Sequence, residues 1–163
     1  MKKPYADFFE TEGISYKCYE HIPVYTIEQA KLLVFEEEIL EIKNLFLRNK
    51  KKSAYYLFSV TEECSLTLKQ MSALTGENKL SFSSKEELFT KLKVEPGAVS
   101  LLNVLNDERK TIHYFIEKKI VNHPAVAFHP NRNDQTLVFH GEIIPKLMNY
   151  FQVTHYHMFE WNH

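Results

Sequence analysis

The chain is poor in glycine, cysteine and tryptophan: its 163 residues include four glycines, two cysteines and one tryptophan. So little glycine excludes collagen-like repetition and low-complexity disorder. Cys18 and Cys64 have no metal-type spacing and no neighbouring base, so they read as free thiols, neither a disulfide framework nor a nucleophile. No signal-like segment is present and no apolar run is long enough to cross a bilayer, so the expectation is a cytoplasmic protein without a membrane partner. Net charge is scarce too. Twenty Lys and Arg against 21 Asp and Glu leave −1, which removes any overall pull toward nucleic acid and confines RNA contact to a local patch. What the chain has is apolar mass, 44% hydrophobic and 13% aromatic residues, enough for one packed domain over 1–163.

Periodicity divides that domain into short elements. Residues 5–12 read as a helix stopped by Gly13, and Ile14, Tyr16 and Cys18 alternate as a strand. Thr26 to Gln29 has capping-box spacing, opening a helix that buries Ile27, Ala30 and Val34. A strand over 39–48, a polar turn at 49–52 and an aromatic strand over 54–60 form a hairpin. Thr67 and Ser84 open two more helices, the first with Leu68, Met71 and Leu74 on one stripe and Gly76 as its cap, the second carrying Leu88 and Leu92. Strands are expected at 80–82, 98–102, 111–116, 125–129, 136–140 and 154–161, with a helix over 142–151. Without regular β-α-β alternation, the pattern predicts an α+β single domain: a central mixed, largely antiparallel sheet packed against helices.

Two polar anomalies interrupt this pattern. In Lys43-Asn44-Leu45-Phe46-Leu47-Arg48, strand alternation aligns Lys43 with Leu45 and Leu47. Lysine is rarely buried without a partner, so Lys43 either snorkels to an edge or opens into a pocket. In Phe128-His129-Pro130-Asn131-Arg132-Asn133, a polar cluster follows directly on an apolar run. Together they suggest a small-ligand or catalytic site. His155 and His157 share a strand face and His163 is near, yet no further ligand completes a set, so no metal is expected. Lys50, Lys51 and Lys52 are either a phosphate contact or a charged hairpin tip.

The ordered segments Glu20-His21-Ile22-Pro23-Val24-Tyr25-Thr26, Lys43 to Arg48, Leu80-Ser81-Phe82, Pro96-Gly97-Ala98-Val99-Ser100, Leu105-Asn106-Asp107 and Phe128-His129-Pro130-Asn131 resemble the YbaK/prolyl-tRNA-synthetase-associated domain family. Within it the likeness is to the free-standing alanyl-tRNA(Pro) deacylases. The resemblance implies a hydrolase that edits mischarged Ala-tRNA(Pro) in trans, with another misacylated tRNA, Cys-tRNA(Pro) or Ser-tRNA, or a non-catalytic tRNA-binding module as alternatives. It implies no cofactor and no DNA; aminoacyl-tRNA is the partner, with prolyl-tRNA synthetase or an elongation factor as further candidates. Carried over by position, Lys43 and Asn44 are the catalytic pair, Lys43 holding a phosphate or carbonyl oxygen and Asn44 orienting ribose or backbone. Gly97, Ala127, Phe128, His129, Leu45, Thr26 and His21 are the substrate-binding candidates. His129 and His21 are equally readable as structural histidines, and Gly97 as a turn residue. Leu101, Ala127 and Arg132 depart from the family's usual Pro, Gly and Thr. No protein general base stands out, which favours water assisted by the substrate's own ribose hydroxyl.

Overall fold

The computed structural model of the chain describes residues 3–30, 32–33, 35 and 38–161. Its first half runs α1 (Lys3–Thr11), β1 (Lys17–Glu20), α2 (Ile27–Ala30), β2 (Ile42–Asn49), β3 (Tyr55–Thr61), α3 (Leu68–Thr75), β4 (Leu80–Phe82) and α4 (Lys85–Leu92). Two 3-10 segments follow at Pro96–Ala98 and Leu101–Asn106, then β5 (His113–Glu117), α5 (Lys118–Val121), β6 (Val126–Phe128), β7 (Gln135–Phe139), α6 (Ile143–Tyr150) and β8 (Tyr156–Phe159).

The strands form a five-stranded sheet, ordered β4-β2-β3-β5-β8, and a three-stranded sheet, ordered β1-β7-β6. The β2–β3, β2–β4, β1–β7 and β6–β7 pairs are antiparallel, whereas β3–β5 and β5–β8 are parallel. The architecture is therefore α+β with a mixed sheet, as the sequence pattern predicts. A single parallel bridge between Leu40 and Val126 joins the two sheets before they splay.

Alternation along β2 separates two cores. Ile42 and Phe46 face the larger one with Leu57, Tyr114, Phe128 and Leu147. Leu47 and, at its margin, Leu45 face the smaller one with Phe58, Met71 and Phe115. Capping boxes at Thr67 with Gln70 and at Ser84 with Glu87 start α3 and α4, and Gly76 closes α3 in the left-handed conformation its φ of 80° requires.

Two expectations need correction, and one element is unexpected. The apolar run at 98–102 forms no strand. Ser100 caps the N–H of Leu102, and Asn103 reaches back to the N–H of Ser100 at 2.7 Å, winding the chain into 3-10 turns. Leu101, Leu102 and Val104 are all fully buried there, and such a run carries no period to distinguish the two outcomes. Leu74 is exposed, because only Met71 and Ser72 of α3 are buried against the sheet. The short helix α5 has no sequence expectation behind it. Ile27, Ala30, Val34 and His163 lie outside the residues whose side chains are described.

Candidate functional site

The splay between the sheets opens a cavity of about 160 Å³ lined by Val24, Tyr25, Thr26, Glu41, Ile42, Lys43, Asn44, Pro96, Gly97, Val99 and His129. That is below the ~300 Å³ at which drug-sized pockets begin, so the space suits a small acyl group. One wall is the N-terminal end of β2. The hairpin bond from Asn49 N–H to the Ala54 carbonyl fixes the pairing phase, so Lys43, Leu45 and Leu47 exchange main-chain bonds with β3. Ile42 and Asn44 therefore turn their N–H and C=O toward the opposite edge. There β4 covers only Leu47–Asn49, and the ladder ends with the bond from Ser83 N–H to the Phe46 carbonyl at 3.0 Å. Among the described residues the Ile42 and Asn44 main-chain groups on that edge have no protein partner, and they line the cavity.

Lys43 is half-buried on the cavity wall, opposite Val60. Among the described residues no carboxylate forms an ion pair with it. Its charge is felt toward the smaller core: burial pushes the Cys64 thiol up, and the Lys43 ammonium draws it partly back. Asn44, on the other face, is locked. Its Oδ1 accepts from the Ser59 hydroxyl at 2.7 Å and its Nδ2 donates to the Val99 carbonyl at 3.3 Å. The register passes through Asn44 without a bulge, so its amide joins β2, β3 and the 96–99 turn.

The roof is built by Gly97. A Cβ there would lie 2.5 Å from the Val24 carbonyl oxygen and 3.2 Å from the Tyr25 Cα, so only glycine lets the 96–99 turn close on the 24–26 loop. Thr26 lines the cavity, with its hydroxyl accepting from the Gln29 N–H at 3.1 Å, while Gln29 reaches back to the Tyr25 N–H at 2.6 Å. His129 forms the far wall. Its main-chain N–H donates to Ser100 Oγ at 3.3 Å and its ring Nδ1 lies 3.5 Å from the Gln135 carbonyl. Burial, only partly opposed by the Gln135 contact, holds this imidazole below the usual histidine range, with His21 adding to the depression; it is neutral at pH 7.

A buried amide network supports both walls. Asn103 Nδ2 donates to the Ala98 carbonyl at 3.1 Å and to Asn131 Oδ1 at 2.6 Å, and the Asn131 N–H donates to the His129 carbonyl at 2.9 Å. Asn131 holds a left-handed φ of 62°, a conformation asparagine tolerates better than most residues. The sequence offers Ser100 and Asn131 only as motif members and gives Asn103 no role.

Lys43, Asn44, Gly97, Thr26 and His129 thus converge on one cavity, and four other candidates do not. Phe128 is buried in the larger core, stacked on Phe139 at 4.1 Å. Ala127 is buried in β6 and its N–H is spent on the Leu40 carbonyl. Leu45 packs at the smaller core. His21 is clamped outside the cavity, with Nε2 2.7 Å from the Thr136 hydroxyl and Nδ1 2.7 Å from the Ile22 carbonyl. Each lies on an element that reaches the cavity, but its own side chain faces a core or a neighbouring strand. Glu41 is the charged lining residue that sequence reasoning missed, although it stands only two positions before Lys43. Arg132 turns back on Asp134, at 2.6 and 2.7 Å. His155 and His157 are exposed, His155 stacked on His113 at 4.5 Å. Among the described residues no three His, Cys, Asp or Glu side chains gather as a metal site, and no helix is long and apolar enough to cross a membrane.

Known proteins are similar to this chain in sequence and in fold. It is 38% identical over 135 residues to the prolyl-tRNA editing protein ProX of Acetoanaerobium sticklandii, covering 83% of this chain and 82% of that protein. It is 27% identical over 139 residues to the prolyl-tRNA synthetase associated domain-containing protein 1 of Danio rerio, covering 84% and 75%. A solved structure of a candidate trans-editing enzyme for prolyl tRNA synthetase superposes with a TM-score of 0.70 at 18% identity, over 100% of this chain and 99% of that one. The profile of the aminoacyl-tRNA editing domain matches residues 21–147. The chain belongs to the aminoacyl-tRNA editing domain family.

Proposed function

We propose that the protein removes alanine from mischarged tRNA(Pro), acting in trans. The observation that carries this reading is the small cavity, whose one ammonium, Lys43, has no carboxylate partner among the described residues and stands beside unpaired main-chain groups of β2. A synthetase site built for proline rejects a smaller apolar amino acid by only ~1–3 kcal/mol per methylene, so a second, tighter site has to destroy the error. In the reaction water adds to the ester carbonyl carbon and the bond to the ribose oxygen breaks. Alanine leaves as its carboxylate, the ribose oxygen takes up one of the water's protons, and the other passes to solvent. Lys43 and the free N–H groups of Ile42 and Asn44 stabilise negative charge on the carbonyl oxygen. The neutral His129 packs against the acyl group, and the neighbouring ribose hydroxyl moves the proton from water.

The test is release of amino acid from tRNA(Pro) charged with alanine, cysteine or proline, and from Ser-tRNA, at micromolar protein. Alanine is expected to leave fastest and proline to persist. Faster loss of cysteine or serine would reassign the substrate, and binding without turnover of any ester would leave a tRNA-binding module. Lys43→Ala should lower kcat/KM by about 100-fold or more while the melting temperature stays close to that of the parent.

A further inference from the structure

Glu41 enters the same cavity from a position that no part of the reaction above uses. Glu41 immediately precedes β2, whose first residue, Ile42, pairs with Thr61 at the end of β3, and Glu62 follows in the turn after that strand. The Glu41 side chain is half-buried, and among the described residues neither a cation nor a hydrogen-bond donor reaches it. Burial first, and the like charge of Glu62 second, push its carboxyl above the usual range. A carboxylate placed in a cleft beside another acid carries a cost that an arriving cation relieves.

An aminoacyl ester brings one cation close to its scissile bond, the α-ammonium. Glu41, just before β2, and Lys43, near its start, present opposite charges to one cavity. The ester can lie between them with its amine toward the acid and its developing oxyanion toward the lysine. We infer that Glu41 receives the α-ammonium of the bound aminoacyl ester and makes a free amine a condition of hydrolysis, so that esters with a blocked amine, peptidyl-tRNA among them, are spared. This rests on the deacylase reading above. Glu41 is thereby a substrate-binding, specificity-determining residue.

Wild type, Glu41→Gln and Glu41→Asp are compared on Ala-tRNA(Pro) and on N-acetyl-Ala-tRNA(Pro), with kcat and KM resolved. Wild type should hydrolyse the free-amine ester much faster than the acetylated one. Glu41→Gln should raise KM for Ala-tRNA(Pro) by about 10- to 100-fold, the size of one charge-assisted hydrogen bond, with kcat and the acetylated ester little changed. Glu41→Asp, which keeps the charge, should recover part of the preference. An unchanged preference in Glu41→Gln, or equal loss on both esters in Gln and Asp alike, overturns the role of Glu41 and leaves the deacylase intact. Hydrolysis of neither ester by wild type removes both readings.

Discussion

Gly97 tolerates no side chain because the backbone of another loop occupies the place where its Cβ would stand. Its φ is ordinary, and the requirement is purely one of space. Gly97→Ala must push the 96–99 turn away from Val24 and so widen the cavity from its roof. The expected result is a kcat/KM for deacylation lower by about 10- to 100-fold and a loss of about 1–3 kcal/mol of stability, read by single-turnover kinetics and urea unfolding. A variant with unaltered kinetics would show that the roof does not position the ester. Lys43 and Asn44, neighbours in sequence, divide the labour by face: the lysine, with no carboxylate partner among the described residues, keeps its charge on the cavity wall, whereas the asparagine spends both ends of its amide on Ser59 and Val99. The Lys43-Asn44 motif is legible in the sequence, but which of the two stays available is decided by what sits across the strand.

The elements that hold the site are fastened at the far end of β2 by Glu87, the reach-back residue of the α4 capping box. Its carboxylate accepts from Ser84 N–H at 3.1 Å, Arg48 Nε at 3.2 Å and the Tyr55 hydroxyl at 2.7 Å, tying α4 to β2 and β3. Burial pushes this carboxyl up, but the bonds from Ser84, Tyr55 and Arg48 outweigh it and hold it at about 2. A carboxyl lowered on folding contributes stability that is fully present above its free value of 4.5 and is lost as pH falls toward about 2. Glu87→Gln should therefore cost about 1–3 kcal/mol at pH 7, and the deficit should shrink on acidification. Urea midpoints at pH 7 and pH 3 measure this, and an equal deficit at both would refute the assignment. The capping box is plain in the sequence because its spacing is local. The partners on β2 and β3 are not, being 39 and 32 residues away.

At the scale of the whole molecule, a net charge of −1 supplies no long-range attraction, so a polyanion must be gripped where lysines gather. Pairing of β4 with β2 brings Lys79 beside Lys50 and Lys51 around one surface cavity, with Glu77 as its acid. Asn49 stiffens this tip, its Oδ1 accepting from the Ser53 and Ala54 N–H groups. Replacing Lys50, Lys51 and Lys79 with alanine should weaken tRNA binding and reduce the slope of log K against log salt by roughly 0.7–0.9 for each phosphate that is no longer neutralised. At saturating tRNA, kcat should stay near that of the parent. A titration over several salt concentrations decides it, and an unchanged slope would move the RNA-binding surface elsewhere.

By itself the sequence determined the α+β class, the central hairpin, the capped helices and the family motifs, because period, caps and turn residues act over a few neighbouring positions. It could not determine that β6 parts from β2 after one bridge, that Ala127, Phe128, Leu45 and His21 face away from the opening, or that Glu41 and His129 share a cavity. Those outcomes depend on which strand edge goes uncovered and which face meets which core. Both are settled only when segments more than eighty residues apart pack together.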